Sequence, residues 1–260
     1  SGFALWAGLC HPEFLTSMIY FPLMLVGIER VLAGRRPVFL AVSTAVYALT
    51  GYYWLFMGTL FTCLYALVRF FEEKRGLKAL SGFFLRAAGG YALGLMCAAP
   101  LFLPNVMGFL QSNRAGGERG LPALFAAGEQ AVSALRALIA PGSWNFAALA
   151  AVVLPAVLLV FFRREKKYRG LQVLTGLLCL FYLMPVVGWL CNAGAYETTR
   201  WYVFLDFFAA LIVLATLDEL TAFRNRTIMI CALSVFLYTW AVWNGAEAER
   251  YALAMLMATV

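Results

Sequence analysis

Along this chain, apolar runs about as long as a membrane is thick alternate with short polar breaks. A helix needs about 20 apolar residues to cross the hydrocarbon core of a bilayer, and residues 12–31 meet that length. Pro12 stands at the first turn, where a missing N–H is harmless, while Pro22 falls mid-span and is expected to kink it. Residues 37–50 form a shorter run that turns at Gly51-Tyr52-Tyr53-Trp54 into residues 55–71. These two arms are either tilted spans or helices that stop at an interfacial bend. Residues 80–103 follow, expected to end at Pro100 and Pro104, and then 146–162, 171–191, 202–217 and 227–243. The pattern predicts an all-α, polytopic transmembrane protein, with about eight spans in one domain, 1–260, and partial helices at both ends. Gly90 and Gly94 form a G-x-x-x-G pair in the fourth run, a spacing that lets helices pack closely. Ser1 in place of Met, and apolar residues at both ends, read as an interior piece of a longer protein.

One polar stretch is long. Residues 105–145 open with Gln111-Ser112-Asn113-Arg114-Ala115-Gly116-Gly117-Glu118-Arg119-Gly120. Leu121, Leu124, Phe125, Val132, Leu135 and Ile139 then recur on one helical face, with Gly128 in the gap. That spacing predicts an amphipathic helix over 121–140 lying in the membrane interface. Loops of this length inside a compact domain often serve as lids or binding loops.

The breaks set the orientation. Of the 20 Lys and Arg, all but Arg86, Arg114, Arg119, Arg136, Arg200 and Arg250 fall on alternate loops, after the first, third, fifth and seventh runs. The positive-inside rule puts those loops in the cytoplasm. His11, Glu13, the Tyr52-Tyr53-Trp54 turn, residues 105–145 and Glu197 to Arg200 then face outward. The sequon Asn225-Arg226-Thr227 lies on the inward side and is not expected to be glycosylated.

Composition supports the membrane reading. The chain is 63% hydrophobic and 13% charged, with mean hydropathy +0.82, against about 25% charged in a soluble domain. The net charge of +7 sits in clusters between apolar runs, so it reads as topology and no nucleic-acid partner is expected. Six Cys show no C-x-x-C pair and one His is present, so no metal site is expected. Cys10 and Cys191 fall near the same face, and the sequence leaves their pairing open. No phosphate-cradling loop, dinucleotide fingerprint, H-E-x-x-H or G-x-S-x-G occurs, so neither cofactor nor nucleotide-driven work is expected.

The outward face collects the polar chemistry. In Glu197-Thr198-Thr199-Arg200-Trp201-Tyr202 a carboxylate and a guanidinium open an apolar run that carries Asp206. Charges there are costly unless something polar is handled; the alternative is that Arg200 and Trp201 are interfacial anchors. Tyr202 and Asp206 are one turn apart, so the phenol can reach the carboxylate, at a depth that suits a watery cavity. His11-Pro12-Glu13 puts an imidazole and a carboxylate at the mouth of the first span, suited to acid–base work or simply to capping it. Arg114, Arg119 and Arg200 offer cations for a phosphate, or solvated loop charge.

His11-Pro12-Glu13-Phe14-Leu15 and Pro22-Leu23-Met24-Leu25-Val26-Gly27-Ile28-Glu29-Arg30 resemble the YfhO family of bacterial membrane proteins. The Gly51-Tyr52-Tyr53-Trp54 turn and the Arg200-Trp201-Tyr202 helix start are similar to further signatures of that family. The resemblance implies a GT-C-like glycosyltransferase of the bacterial cytoplasmic membrane. Such an enzyme takes a polyprenyl-phosphate-linked sugar as donor and a cell-envelope polymer such as lipoteichoic acid as acceptor, on the outer face among membrane lipids. The carboxylate usual for such enzymes lies in the first outward loop, which would precede Ser1. Within this chain the candidate catalytic residues are His11, Glu13 and Asp206. The candidate substrate-binding residues are Arg200, Glu197, Trp201, Tyr202, Tyr52, Tyr53 and Arg114. A transporter or flippase for a lipid-linked or polar solute is the rival reading, and a scaffold for envelope enzymes a third.

Overall fold

The computed structural model describes residues 11–73, 76–111, 121–138, 147, 149–150, 152–222 and 224–243. Those residues are largely helical, and no strand occurs among them. Three helices are long and apolar enough to cross a membrane, at Glu13–Leu32, Tyr52–Glu72 and Lys78–Leu110. A sharply bent pair, Lys166–Tyr182 and Pro185–Cys191, makes a fourth if it is one broken span. The break falls where Pro185 lacks the N–H that would continue the ladder. Val38–Thr50 and Val153–Phe162 are apolar but shorter.

The chain divides into two compact units. The first holds the described residues within 11–121 and 189–197. Its helices are α1 (Thr16–Leu32), entered through a 3-10 turn at Pro12–Leu15, α2 (Val38–Thr50), α3 (Tyr52–Glu72) and α4 (Leu77–Leu110). α1 continues as helix past Pro22. α4 likewise runs on through Pro100 and Pro104, so the expected stop there is overturned and residues 105–110 are helix, not loop. Apolar neighbours and local adjustment let a membrane helix keep a proline that a soluble one would not. The turn between α2 and α3 rests on Gly51 at φ +146°, a conformation that a Cβ would strain.

Close helix packing holds this unit together. A Cβ at Gly90 would stand 2.7 Å from Cβ of Pro37, and one at Gly94 would meet the carbonyl of Ala41 and Cβ of Thr44. The G-x-x-x-G pair therefore seats α4 against α2, as its spacing predicts. Gly94→Ala is expected to destabilise the purified protein by about 1–3 kcal/mol, the usual cost of overpacking. Gly89→Ala, on the same helix with open space around it, should raise stability by up to about 1 kcal/mol from helix propensity. Thermal unfolding of the two variants in detergent checks this; equal shifts would contradict the packing role.

The GIER run is explained by the same packing. Gly27 lets α1 approach Leu40, and Ile28 joins the buried core with Val31, Leu32, Leu40 and Phe70. Glu29 takes a two-pronged contact from Arg69 of α3, with Nε to Oε1 at 2.7 Å and Nη2 to Oε2 at 3.1 Å. Tyr65 Oη also donates to Glu29, at 2.7 Å. Arg30 lies over the Phe39 ring, 5.1 Å from its centre. Near the other end of α1, Tyr47 Oη donates to Ser17 Oγ at 2.7 Å.

The second unit holds the described residues within 122–188 and 198–243. Its helices are α5 (Glu129–Ala137), α6 (Val153–Phe162), α7 (Arg169–Tyr182), α9 (Tyr202–Leu220) and α10 (Asn225–Trp243). The short α8 (Pro185–Cys191) links it to the first unit. α6 and α9 pack through Ala156, Val160 and Ile212. The amphipathic helix is shorter than its apolar stripe predicts. It begins at Glu129, after Gly128 at φ +55°, and Leu121, Leu124 and Phe125 lie outside it and are exposed.

Candidate functional site

Each unit has a basic end and an aromatic end. In the first unit the Glu29–Arg69 contact and the bond from Arg86 Nη2 to the Arg35 carbonyl, 2.6 Å, lie at the basic end. In the second, Arg163 at the end of α6 pairs with Asp218 and, at 3.4 Å, with Glu219. The Tyr168 ring centre lies 4.9 Å from its guanidinium carbon. Arg226 pairs with Glu219 at 3.0 Å. Burial works against the charge on Arg163, and the Asp218 and Glu219 carboxylates more than offset it, so its pKa is raised. The same guanidinium holds the Asp218 carboxyl below the usual carboxylate range. Sequence reading missed these networks: Glu29 and Arg69 are 40 residues apart, and Arg163 and Asp218 are 55 apart. The signal available was the acid–base spacing of Arg69, Glu72 and Glu73 on one helix face.

At the aromatic end of the first unit the chain brings several predicted residues together. The 3-10 turn at Pro12–Leu15 sets His11 Nδ1 3.1 Å from Glu13 Oε1, and both side chains are about half exposed. His11 stacks on Phe14 at 4.9 Å, and Phe14 meets Trp54 edge-on at 4.8 Å. Trp54 meets Tyr53 at 5.6 Å, Tyr53 meets Tyr52 at 6.5 Å, and Tyr52 lies 4.8 Å from Phe109. A continuous row of rings thus runs from the His11–Glu13 pair across the Gly51 turn to α4. Sequence reading found His11, Glu13, Tyr52 and Tyr53; Phe14 and Phe109 look like ordinary span residues until the helices pack. Glu197 belongs to the short return of this unit, where Asn192 Nδ2 donates to the Tyr196 carbonyl at 3.1 Å.

The remaining predicted residues stand at the start of α9 in the second unit. Arg200 is half-buried, and its backbone N–H donates to Thr198 Oγ1 at 3.3 Å. Trp201 is only 3% exposed and meets Tyr202 edge-on at 4.9 Å, so it packs inside the unit and is not a lipid-facing anchor. Tyr202 lies 5.2 Å from the Tyr182 ring, and Tyr182 Oη donates to the Ala134 carbonyl at 2.6 Å. Asp206 is buried, as are Val203, Phe204 and Phe208 on the same helix. Arg114, Arg119 and Cys10 lie outside the described residues, and with Cys10 so does the Cys10–Cys191 pairing.

Below Tyr202 the unit contains a cavity of about 210 Å³. Its wall is almost wholly aliphatic, with Leu154 and Val157 from α6, Leu178 from α7, and Leu205, Ala209 and Ile212 from α9. Asp206 is not on that wall. Backbone bonds from Ala126 N–H to the Leu183 carbonyl, 2.9 Å, and from Leu149 N–H to the Leu138 carbonyl, 2.7 Å, fix the neighbouring segment near it.

A family model described as bacterial membrane protein YfhO matches residues 3–259. A Bacillus subtilis (strain 168) protein named YfhO is 25% identical to this chain over 260 residues. That alignment covers 94% of this chain, and the chain spans 28% of the relative's length. No solved structure matches.

Proposed function

The chain belongs to the YfhO family of bacterial membrane proteins, and from that premise we propose that it is part of a GT-C-type glycosyltransferase. The donor is a polyprenyl-phosphate-linked sugar, and the acceptor is a hydroxyl of a cell-envelope polymer such as lipoteichoic acid. The protein crosses the cytoplasmic membrane about eight times, with the basic ends inside, the aromatic ends outside and residues 121–140 along the outer interface. The observation that carries the reading is the His11–Glu13 pair at the head of a row of aromatic rings. Ring faces pack against the apolar side of flat ligands, while a carboxylate beside an imidazole serves hydroxyl groups.

In the reaction the acceptor oxygen attacks the anomeric carbon, its proton passes to Glu13, and the sugar–phosphate C–O bond breaks. Polyprenyl phosphate leaves with the bonding pair. Further candidates, each proposed within its own unit, are Tyr52, Tyr53 and Glu197 in the first and Arg200, as a cation for a phosphate, with Trp201, Tyr202 and Asp206 in the second; Arg114 is a candidate by sequence alone. The bent α7–α8 pair and buried Asp206 favour a second reading, a transporter of a lipid-linked solute, because broken helices and intramembrane acids mark transport sites.

The full-length protein in liposomes, given radiolabelled lipid-linked sugar and acceptor, separates the two. A new glycosidic product supports transfer; label that crosses the bilayer still attached to its lipid supports transport. Orientation has its own test in a cysteine-free background. Single cysteines in 111–120 should react with an impermeant maleimide added outside intact cells, and those in 163–169 only after permeabilisation. The reverse pattern would contradict the assigned sides.

A further inference from the structure

We infer that the basic end of the second unit docks the phosphodiester head groups of anionic phospholipids, for which phosphatidylglycerol is the probe; the inference does not depend on the transferase reading. The cations at this end fall into two sets. Arg163, Lys167 and Arg226 are engaged within the unit. Arg163 and Arg226 share Glu219, Arg163 also pairs with Asp218, and Lys167 Nζ lies 2.9 Å from Glu165 Oε2. Arg164, Lys166, Arg169 and Arg224 are exposed, and no carboxylate among the described residues pairs with them. The Arg163–Glu219–Arg226 contacts tie the ends of α6, α9 and α10 together. The free cations flank that tie, at the end of α6 and the starts of α7 and α10, and so stand on one fixed platform.

Helix stability does not account for that placement. Arg169 opens α7 and Arg224 precedes α10, and neither first turn carries an acid. A cation there faces the positive end of the helix dipole, where an anion is favoured. Membrane topology would be served equally by charge anywhere in these loops. The neighbours identify the anion as lipid. Phe161 and Phe162 close α6, Leu217 precedes Asp218 on α9, and Ile228 and Met229 follow Arg226 on α10; all five are exposed. Arg226 lies over the Phe162 ring, 5.1 Å from its centre, and pairs with Glu219 beside Asp218. Three helices therefore pass from exposed apolar to charged residues at one level, as a membrane passes from acyl chains to phosphates. A soluble phosphate would engage the cations and leave the apolar rim uncovered.

The test uses the full-length protein in phosphatidylcholine nanodiscs that contain phosphatidylglycerol with a diazirine near the glycerol end of one chain. Photolysis should label peptides covering 161–169 and 224–229. Unlabelled phosphatidylglycerol should compete. Phosphatidylethanolamine with the same chains should not, and neither should the soluble head group glycerophosphoglycerol. Each Lys or Arg at an anionic membrane surface shifts binding roughly five-fold. The half-saturating lipid fraction should therefore rise about five-fold in Arg169→Gln and on the order of 100-fold in Arg164→Gln/Lys166→Gln/Arg169→Gln. Glu165→Gln/Lys167→Gln removes a pair already closed on itself in the same loop and should leave labelling unchanged. Equal competition by phosphatidylethanolamine, displacement by glycerophosphoglycerol, unchanged labelling in a folded triple variant, or an equal loss in the Glu165→Gln/Lys167→Gln variant would overturn the inference. If the triple variant fails to fold, the wild-type map and the competition decide alone.

Discussion

Glu13→Gln in the full-length protein is expected to lower sugar transfer by about 100- to 10,000-fold, the contribution typical of a positioned general base. The amide keeps the size of the side chain but cannot take a proton. Glu13 is about half exposed and opens the first candidate span, so its loss should leave the fold intact. Donor KM should change little, because the substitution removes an interaction made as the proton moves and not one made on binding. His11→Ala should cost less, since the imidazole acts through the carboxylate 3.1 Å away. Initial rates with labelled donor, at matched protein level, check both. A Glu13→Gln enzyme as fast as wild type would reduce the His11–Glu13 pair to a helix-entry cap.

Arg200→Lys is the second large effect. Arginine grips a phosphate with two parallel N–H bonds where lysine offers a point charge. Losing one such contact in a half-buried position should cost on the order of 2–4 kcal/mol in the transition state, or roughly 30- to 1000-fold in rate at about 1.36 kcal/mol per decade. Expression and membrane insertion should persist. An anchor role makes the opposite forecast, because lysine snorkels as well as arginine. The buried Trp201 beside it already argues against an anchor pair. Equal transfer rates for wild type and Arg200→Lys would contradict the phosphate role.

How much of this was legible in the sequence depended on whether the deciding force was local. Gly51 announced a turn and Gly90–Gly94 a close helix contact, because a missing Cβ has the same meaning in any surroundings. Pro100 and Pro104 misled for the opposite reason: whether a proline ends a helix depends on what packs around it, and α4 continues through both. The apolar stripe over 121–140 overstated its helix, since periodicity ignores the left-handed turn at Gly128. Trp201 reads as a belt residue by position and is buried by tertiary packing. Charges were legible as a sum but not as partners. Arg69 and Arg163 counted only as basic loop residues, although each neutralises acids from a distant helix. His11, Glu13, Tyr52 and Tyr53 were each legible as polar or aromatic residues at the ends of apolar runs. The ring row that joins them, and the aliphatic cavity under Tyr202, exist only once helices far apart in sequence meet.

If the proposed function holds, sugar is transferred at the outer face from a lipid-linked donor. The most direct measurement uses right-side-out membrane vesicles containing the full-length protein, with labelled sugar supplied as the polyprenyl phosphate or as the nucleotide sugar trapped inside. Labelled acceptor polymer, accessible to an impermeant glycosidase, is expected from the lipid donor alone. Product formed directly from the trapped nucleotide sugar in vesicles free of polyprenyl phosphate, or none from the lipid donor, would contradict it.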